Sequence, residues 1–363
     1  MSDHPDRPAF RTSLRQVCET LAIAFAGGLG LGFTGFPAGW LSGAIIAVST
    51  AALAGRPMRI PDPLARFTYV VMGISLGGAV TPATVAGMAT WPISLALLTI
   101  GMLALTAAVT IYLRAVHGWD RGSALLASFP GGLATVLVLA VENRADVRAV
   151  AVVQTVRVAG LAVILPAVLA ALGFTGIPVA RSAAVSLADP LPLALLVVVS
   201  TFAAVVAQWL RFPGGLMFGA MLSSAILHGT GLVGATLPWW WLSVLSFIVL
   251  GGLTGTRFGN TDVRLLRHLA GAALGAFVVG NAVALGFALA AAWLLGLNAG
   301  GVMLAYAPGA IDAMMILALA LHFDPAFVGA HHVARFILVL LSMPVLVRLI
   351  HRAKREDEED KPP

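Results

Sequence analysis

The sequence predicts an all-α, polytopic membrane protein of roughly 10–12 transmembrane segments, built from two homologous repeats in inverted topology with Pro-Gly broken or re-entrant helices. Three observations carry this reading. First, 59% of the 363 residues are hydrophobic and 10% are charged, whereas a soluble domain carries about 25% charged residues. There is too little charge to solvate a globular surface of this size. Second, the apolar residues come in blocks of about 17 to 25, the length a helix needs to cross roughly 30 Å of hydrocarbon. Third, residues that are rare inside such blocks recur at a fixed offset between the two halves of the chain. A transmembrane β-barrel is excluded, because its strands alternate apolar and polar residues while 93–113 and 269–295 are apolar on every side.

Taken in order, the chain opens on a polar stretch, 1–16, that carries Arg7, Arg11 and Arg15. The apolar run behind it has no convincing small-residue cleavage site, so it reads as a retained first helix with a cytoplasmic N-terminus. Twelve apolar segments follow, at 17–33, 37–54, 64–80, 91–113, 123–141, 147–172, 190–210, 213–227, 239–254, 269–295, 300–321 and 326–350. Short Arg-bearing or Gly/Pro-bearing breaks separate them. The last stretch, 351–363, is mostly charged and reads as a solvated cytoplasmic tail, disordered beyond Lys354. Lys and Arg number 22 against 16 acids, a net charge of +6. Because the basic residues sit in loops and form no patch or stripe, the positive-inside rule explains them and a nucleic-acid partner does not. The single Cys18 excludes an intramolecular disulfide and any all-cysteine metal site.

The repeat is read from the rare residues. Phe129-Pro130-Gly131-Gly132-Leu133-Ala134 is answered by Ala307-Pro308-Gly309-Ala310-Ile311-Asp312 at an offset of 178 (308 − 130). The same offset pairs Gly73 with Gly251, Gly77 with Gly255, Asp146 with Asp324, Arg157 with Arg335, and Pro166 with Pro344. Chance apolar similarity does not hold Asp, Arg and Pro in register, so one membrane repeat occupies 17–180 and a second 190–350, with the boundary in the loop between. If all twelve segments cross, the repeats are parallel and Arg211, Arg257, Arg264 and Arg267 fall on the non-cytoplasmic side, against the charge rule; if the two Pro-Gly segments re-enter without crossing, each repeat crosses five times and the repeats are inverted. Nearly every loop arginine, from Arg56 and Arg59 to Arg257, Arg264 and Arg267, then shares one face, as the charge rule asks; Arg181 is the exception.

The Pro-Gly breaks are also where chemistry is expected. Proline removes a backbone donor and glycine relaxes φ, so helices running into Pro130-Gly131-Gly132 and Pro308-Gly309 stop and restart. Peptide groups freed in this way are tolerated in hydrocarbon only when buried in protein or facing a watery cavity. Two matched breaks therefore point to a transporter-like binding site, with the restarted N-termini offering partial positive charge to an anion. Asp312 lies inside an apolar segment and needs a partner, a proton or a cavity. Arg157 and Arg335 lie too deep in their segments to snorkel, which calls for an acid, an anionic substrate or a structural tether. His331 and His332, whose counterparts are Val153 and Gln154, point about 100° apart on a helix and lack the i, i+4 spacing of a zinc pair; a proton relay, a substrate contact and polar packing remain open. Asp146 and Asp324 read as helix caps, Asn281 as interhelical glue, and Glu19 as close enough to its helix end to reach the interface.

At these residues the chain resembles the AbrB family of Gram-negative inner-membrane proteins, whose members carry a duplicated domain. The resemblance rests on Phe129 to Ala134, on Tyr306-Ala307-Pro308-Gly309, and on the run from Asp324 that ends Ala330-His331-His332-Val333-Ala334-Arg335. It extends over 21–350 and departs at Ala310, where the family usually has a second glycine. It implies a multi-pass protein of the bacterial inner (cytoplasmic) membrane. Members are often labelled transcriptional regulators or ammonia monooxygenases, which implies regulation of gene expression as one role. This sequence contains no basic recognition helix for direct nucleic-acid binding. Its eight histidines supply no iron or copper spacing, so no enzyme activity, cofactor or metal is expected.

The functional expectation is a secondary transporter of a small anionic or zwitterionic solute, coupled to protons through Asp312. Its substrate-binding residues are Pro130, Gly131, Gly132, Gln154, Arg157, Pro308, Gly309, Asp312, His331, His332 and Arg335. The alternative is a membrane-embedded regulator that controls gene expression indirectly. The expected partners are the lipid bilayer and the solute; self-association into a homo-oligomer is left open by the sequence.

Overall fold

A computed structural model describes residues 7–80, 82–130, 133–174, 190–234, 236, 240–259 and 263–359. Among them every regular element is a helix. In chain order these are α1 Arg7–Gly32, α2 Gly39–Leu53, α3 Asp62–Gly77, α4 Pro82–Gly87, α5 Trp91–His117, α6 Arg121–Ser128, α7 Leu133–Glu142 and α8 Val147–Ala171. They continue with α9 Pro190–Trp209, α10 Gly215–Gly229, α11 Trp240–Gly255, α12 Val263–Leu295, α13 Ala299–Tyr306, α14 Ile311–Ala320 and α15 Pro325–Glu359. Six of these, α5, α8, α9, α11, α12 and α15, supply stretches long and apolar enough to cross a membrane, and the chain is a multi-pass membrane protein. Element bounds repeat along the chain: α3 and α11, α6 and α13, and α7 and α14 each begin and end 178 residues apart, and α2 and α10 are 176 apart.

Several local expectations change. The polar stretch before the first apolar block is helical from Arg7 onward, with Pro8 in the first turn, where its missing N–H is harmless. The charged tail continues α15 through Glu359 and is not disordered beyond Lys354, in keeping with its Lys, Arg and Glu content, all good helix formers. Asn281 donates to the carbonyl of Phe277 one turn back in its own helix (2.7 Å), and makes no bond to another helix among the described residues. Glu19 finds a partner in Arg56, 2.5 Å away. Asp146 and Asp324 are caps, as read: Asp146 accepts from the N–H groups of Arg148 and Ala149, and Asp324 from those of Ala326 and Phe327.

The chain forms two compact units that cut across the sequence halves, Met1–Ala79 with Val179–Asp262, and Val80–Pro178 with Val263–Pro363. In the first, α3 packs on α10 and α11 packs on α2, an exchange between elements that correspond across the offset. Glycine makes the approach close enough. A Cβ on Gly73 or Gly77 would run into the carbonyl oxygens of Met217 or Met221 on α10, and one on Gly251 or Gly255 into Leu41 or Val48 on α2. These are small-xxx-small contacts of the kind that drives helix association where lipid offers no hydrophobic gain.

The second unit holds the interrupted helices. An arm of eight residues, α6, and one of ten, α7, are about 12 and 15 Å long at 1.5 Å per residue, so neither spans the hydrocarbon alone. They form a hairpin. Ser123, in the first turn of α6, accepts at its Oγ from the backbone N–H of Asp146, beyond the end of α7 (2.9 Å), so the two arms start and finish together. The pair α13 and α14 does the same, since the ring of Phe323, just past α14, covers Gly300 and Gly301 at the start of α13. The mouths of the two hairpins lie at opposite ends of the long helices. Ile350, late in α15, reaches Gly122 at the first mouth, whereas α15 begins beside the second. Running the other way, α8 starts at the first mouth, and Phe174, beyond its end, reaches Gly300 at the second.

Candidate functional site

Each hairpin turns at a proline, and the turn creates an electrostatic problem. The last carbonyls of α6 and α13 have no N–H ahead of them in the helix, because Pro130 and Pro308 end it. Their partial negative charge sits deep in protein. In the first hairpin the answer comes from α8. Gln154 donates its Nε2–H groups to the carbonyls of Leu126 (3.0 Å) and Phe129 (2.9 Å). One turn on, Arg157 donates to the carbonyls of Ser128 and Phe129, both at 3.2 Å, and to Oε1 of Gln154.

The second hairpin is held in the same way from α15. Arg335 donates from Nη1 to Ala307 O (2.6 Å) and from Nη2 to Gly309 O (2.8 Å), and Nη2 also meets Nδ1 of His332. Arginine has no acceptor, so Nδ1 must present its lone pair and Nε2 must carry the proton. That Nε2–H donates to Leu304 O at 3.0 Å. His332 therefore acts as a neutral amide would, and it stands 178 residues after Gln154. All four bracing side chains are buried.

Each guanidinium thus has three N–H groups engaged, out of five, by carbonyls and by its own bracing neighbour. Helix C-termini, carrying roughly half a negative charge, compensate cations that the sequence left to an acid, an anion or a tether. The compensation is incomplete: Nε of Arg157 is buried with no hydrogen-bond partner among the described residues. Because Gln154 and His332 do the same work, Gln154→His should leave stability nearly unchanged. Gln154→Leu should cost about 1–2 kcal/mol by stripping carbonyls and Arg157 of a partner; thermal melting of the purified protein in mild detergent checks both.

His331 is buried in a separate network. Its Nδ1–H donates to Phe327 O (2.8 Å), so Nε2 accepts from the hydroxyl of Ser94 (2.8 Å). Tyr306 donates its hydroxyl to the carbonyl of Ser94 (2.6 Å) and stacks on His331 with ring centroids 6.1 Å apart. Phe327 and Trp91 complete an aromatic surround. Sequence reasoning missed Ser94, a lone serine near the start of a long apolar helix that offers no signal. It passed over Tyr306 except as part of the signature.

The two tips meet at one cleft. Pro130, Pro308, Tyr306 and Arg335 line it together with apolar side chains of α5 and α12. Its free space is about 280 Å³ counting the open mouth, and its enclosed part has room for about one water molecule. Of the predicted site residues, Pro130, Pro308 and Arg335 come together here, while Gln154, Arg157 and His332 brace the tips and Gly309, in the second tip, gives its carbonyl to Arg335. His331 lies in its own cage. Asp312 is half-buried in the first turn of α14, where an acid suits the helix N-terminus; it does not line the cleft. Gly131 and Gly132 lie outside the described residues. No group of three or more His, Cys, Asp or Glu among the described residues is placed to hold a metal ion.

Compared with known proteins, residues 40–351 match the family described as Transition state regulatory protein AbrB. A Bacillus subtilis (strain 168) protein named YhjN, described as uncharacterized, is 28% identical over 94% of this chain and 94% of its own length. A candidate regulator called AbrB from Escherichia coli (strain K12) is 27% identical over 89% of this chain and 93% of its own. No solved structure gives a significant match.

Proposed function

This chain belongs to the AbrB family, and from that premise and the opposed hairpins we propose that it is a secondary transporter of a small anionic or zwitterionic solute in a bacterial inner membrane. The observation that carries the proposal is the pair of hairpins that open at opposite ends of α15 and bring Pro130 and Pro308 to one cleft beside a buried arginine. In a membrane, the two mouths would face opposite sides and the tips would sit near the middle. That is how interrupted helices serve alternating access. With both hairpins re-entrant, each sequence half crosses five times and the halves are inverted; element bounds that recur at offsets of 178 and 176 support their duplication. The cleft, too tight inside for a solute, would have to widen for one to enter. We assign the chain no enzymatic chemistry, cofactor or direct nucleic-acid partner.

The test is uptake by the purified protein in liposomes against a panel of carboxylates, amines and amino acids, repeated with Asp312→Asn. We expect at least one solute to be moved, with proton-driven accumulation lost in Asp312→Asn while its melting stays close to the parent's. If no solute moves, the transport reading falls; if Asp312→Asn drives uptake like the parent, coupling does not run through that carboxylate. A second reading is favoured by the name of the Escherichia coli relative and by the continuation of α15 to Glu359, a charged helical end suited to a cytoplasmic partner. In that reading, removing 351–363 abolishes an effect on gene expression and leaves uptake intact.

A further inference from the structure

Resting on the transport reading, we propose that the solute is a monoanion with a compact apolar body, a short aliphatic or aromatic monocarboxylate, and not a dicarboxylate, a sugar or an amino acid. The walls of the cleft argue for it. Along α5 they are Leu98, Met102 and Leu105, and along α12 they are Ala284 and Phe287. None of these offers a hydrogen bond of ordinary strength. Polar capacity is gathered at the hairpin end, and most of it is engaged. Tyr306 gives its hydroxyl proton to Ser94 O, so towards the cleft it can offer a ring and a lone pair but no donor. Arg335 supplies the positive charge, with three of its N–H groups already on Ala307, Gly309 and His332. What Arg335 has left, two of its five N–H groups, suits one carboxylate.

A second charged or hydroxyl group on the solute would have to lie along the leucine, methionine and phenylalanine wall without a partner, and burying it there is strongly unfavourable. An α-ammonium has the same difficulty, because Asp312 does not line the cleft. The hydrocarbon of a monocarboxylate meets the wall with no such penalty. The small volume favours a compact body, since the enclosed part must widen before anything larger than water can enter.

The proposal is tested by binding to the purified full chain in mild detergent at pH 7.5, with hexanoate, benzoate, adipate, hexanol and leucine as probes. Hexanoate and benzoate should raise the melting midpoint and bind at least about tenfold more tightly than adipate, hexanol or leucine, a difference of about 1.4 kcal/mol. Phe287→Ala, which lengthens the apolar end, should raise the affinity of octanoate relative to hexanoate by about tenfold, the lower end of what one or two methylenes are worth in a fitted pocket. Adipate or leucine binding as tightly as hexanoate would overturn the proposal. So would an unchanged chain-length preference in Phe287→Ala, because it means the acids partition into detergent-covered surface. Uptake separates this failure from that of the transport reading: a monocarboxylate that binds and is not moved removes transport alone, whereas saturable uptake of a dicarboxylate or amino acid removes the solute class alone.

Discussion

Arg335→Met should destabilise the protein by about 3–5 kcal/mol, the range found when one member of a buried, charge-compensated set is removed. The substitution keeps the length and the apolar stem of the side chain and deletes only the guanidinium. Three acceptors are then left inside protein, the carbonyls of Ala307 and Gly309 and Nδ1 of His332. Hydrogen bonds to a charged group are worth about 1.5–3 kcal/mol each, so even partial rescue by water leaves a large deficit. Arg335→Lys should fall between, because an ammonium is a point donor and cannot hold two carbonyls in the fork geometry of a guanidinium. The measurement is the melting midpoint and denaturant sensitivity of the purified protein in mild detergent, beside uptake in liposomes. We expect both to fail together in Arg335→Met, since the carbonyls it holds flank Pro308, which lines the cleft. A variant that melts with the parent would mean that the second hairpin tip keeps its shape without Arg335, and the staple would lose its role.

The staples show how far this fold was legible and where legibility stopped. Pro130 and Pro308 announced the interruptions because the missing N–H is a property of the residue itself, and the aspartates announced the starts of α8 and α15 for the same kind of reason. Arg157 and Arg335 were conspicuous as deep charges, but the natural expectation was an opposite side chain or a bound anion. What they meet is peptide carbonyl, and a sequence carries no mark for a carbonyl that a distant proline has left bare. The spacing of one turn between Gln154 and Arg157, and again between His332 and Arg335, was visible but unread, because glutamine and histidine become equivalent only once the tautomer is known. The partition into compact units was hidden as well. The recurring offset relates one half of the sequence to the other, whereas packing groups α3 with α10 and α11 with α2, across the halves.

That exchanged packing leads to the other large expected effect, which isolates steric approach from every other property of glycine. Gly286 on α12 has open space where a Cβ would go, whereas a Cβ on Gly73 or Gly77 of α3 would meet backbone carbonyl oxygen of α10. All three are helical, so alanine brings the same gain in propensity, about 1 kcal/mol. Gly286→Ala should therefore melt at or slightly above the parent. The double replacement Gly73→Ala with Gly77→Ala should lose about 2–6 kcal/mol, twice the usual range for overpacking a close contact, because the obstacle is main chain and cannot swing away as a side chain would. The corresponding pair, Gly251→Ala with Gly255→Ala on α11, should lose a comparable amount through α2. Equal losses would mean that the two exchanged contacts are energetic equivalents as well as positional ones. If the double variant on α3 melts like Gly286→Ala, then α3 and α10 do not approach as closely as the glycines allow, and something other than small-residue packing holds that unit together.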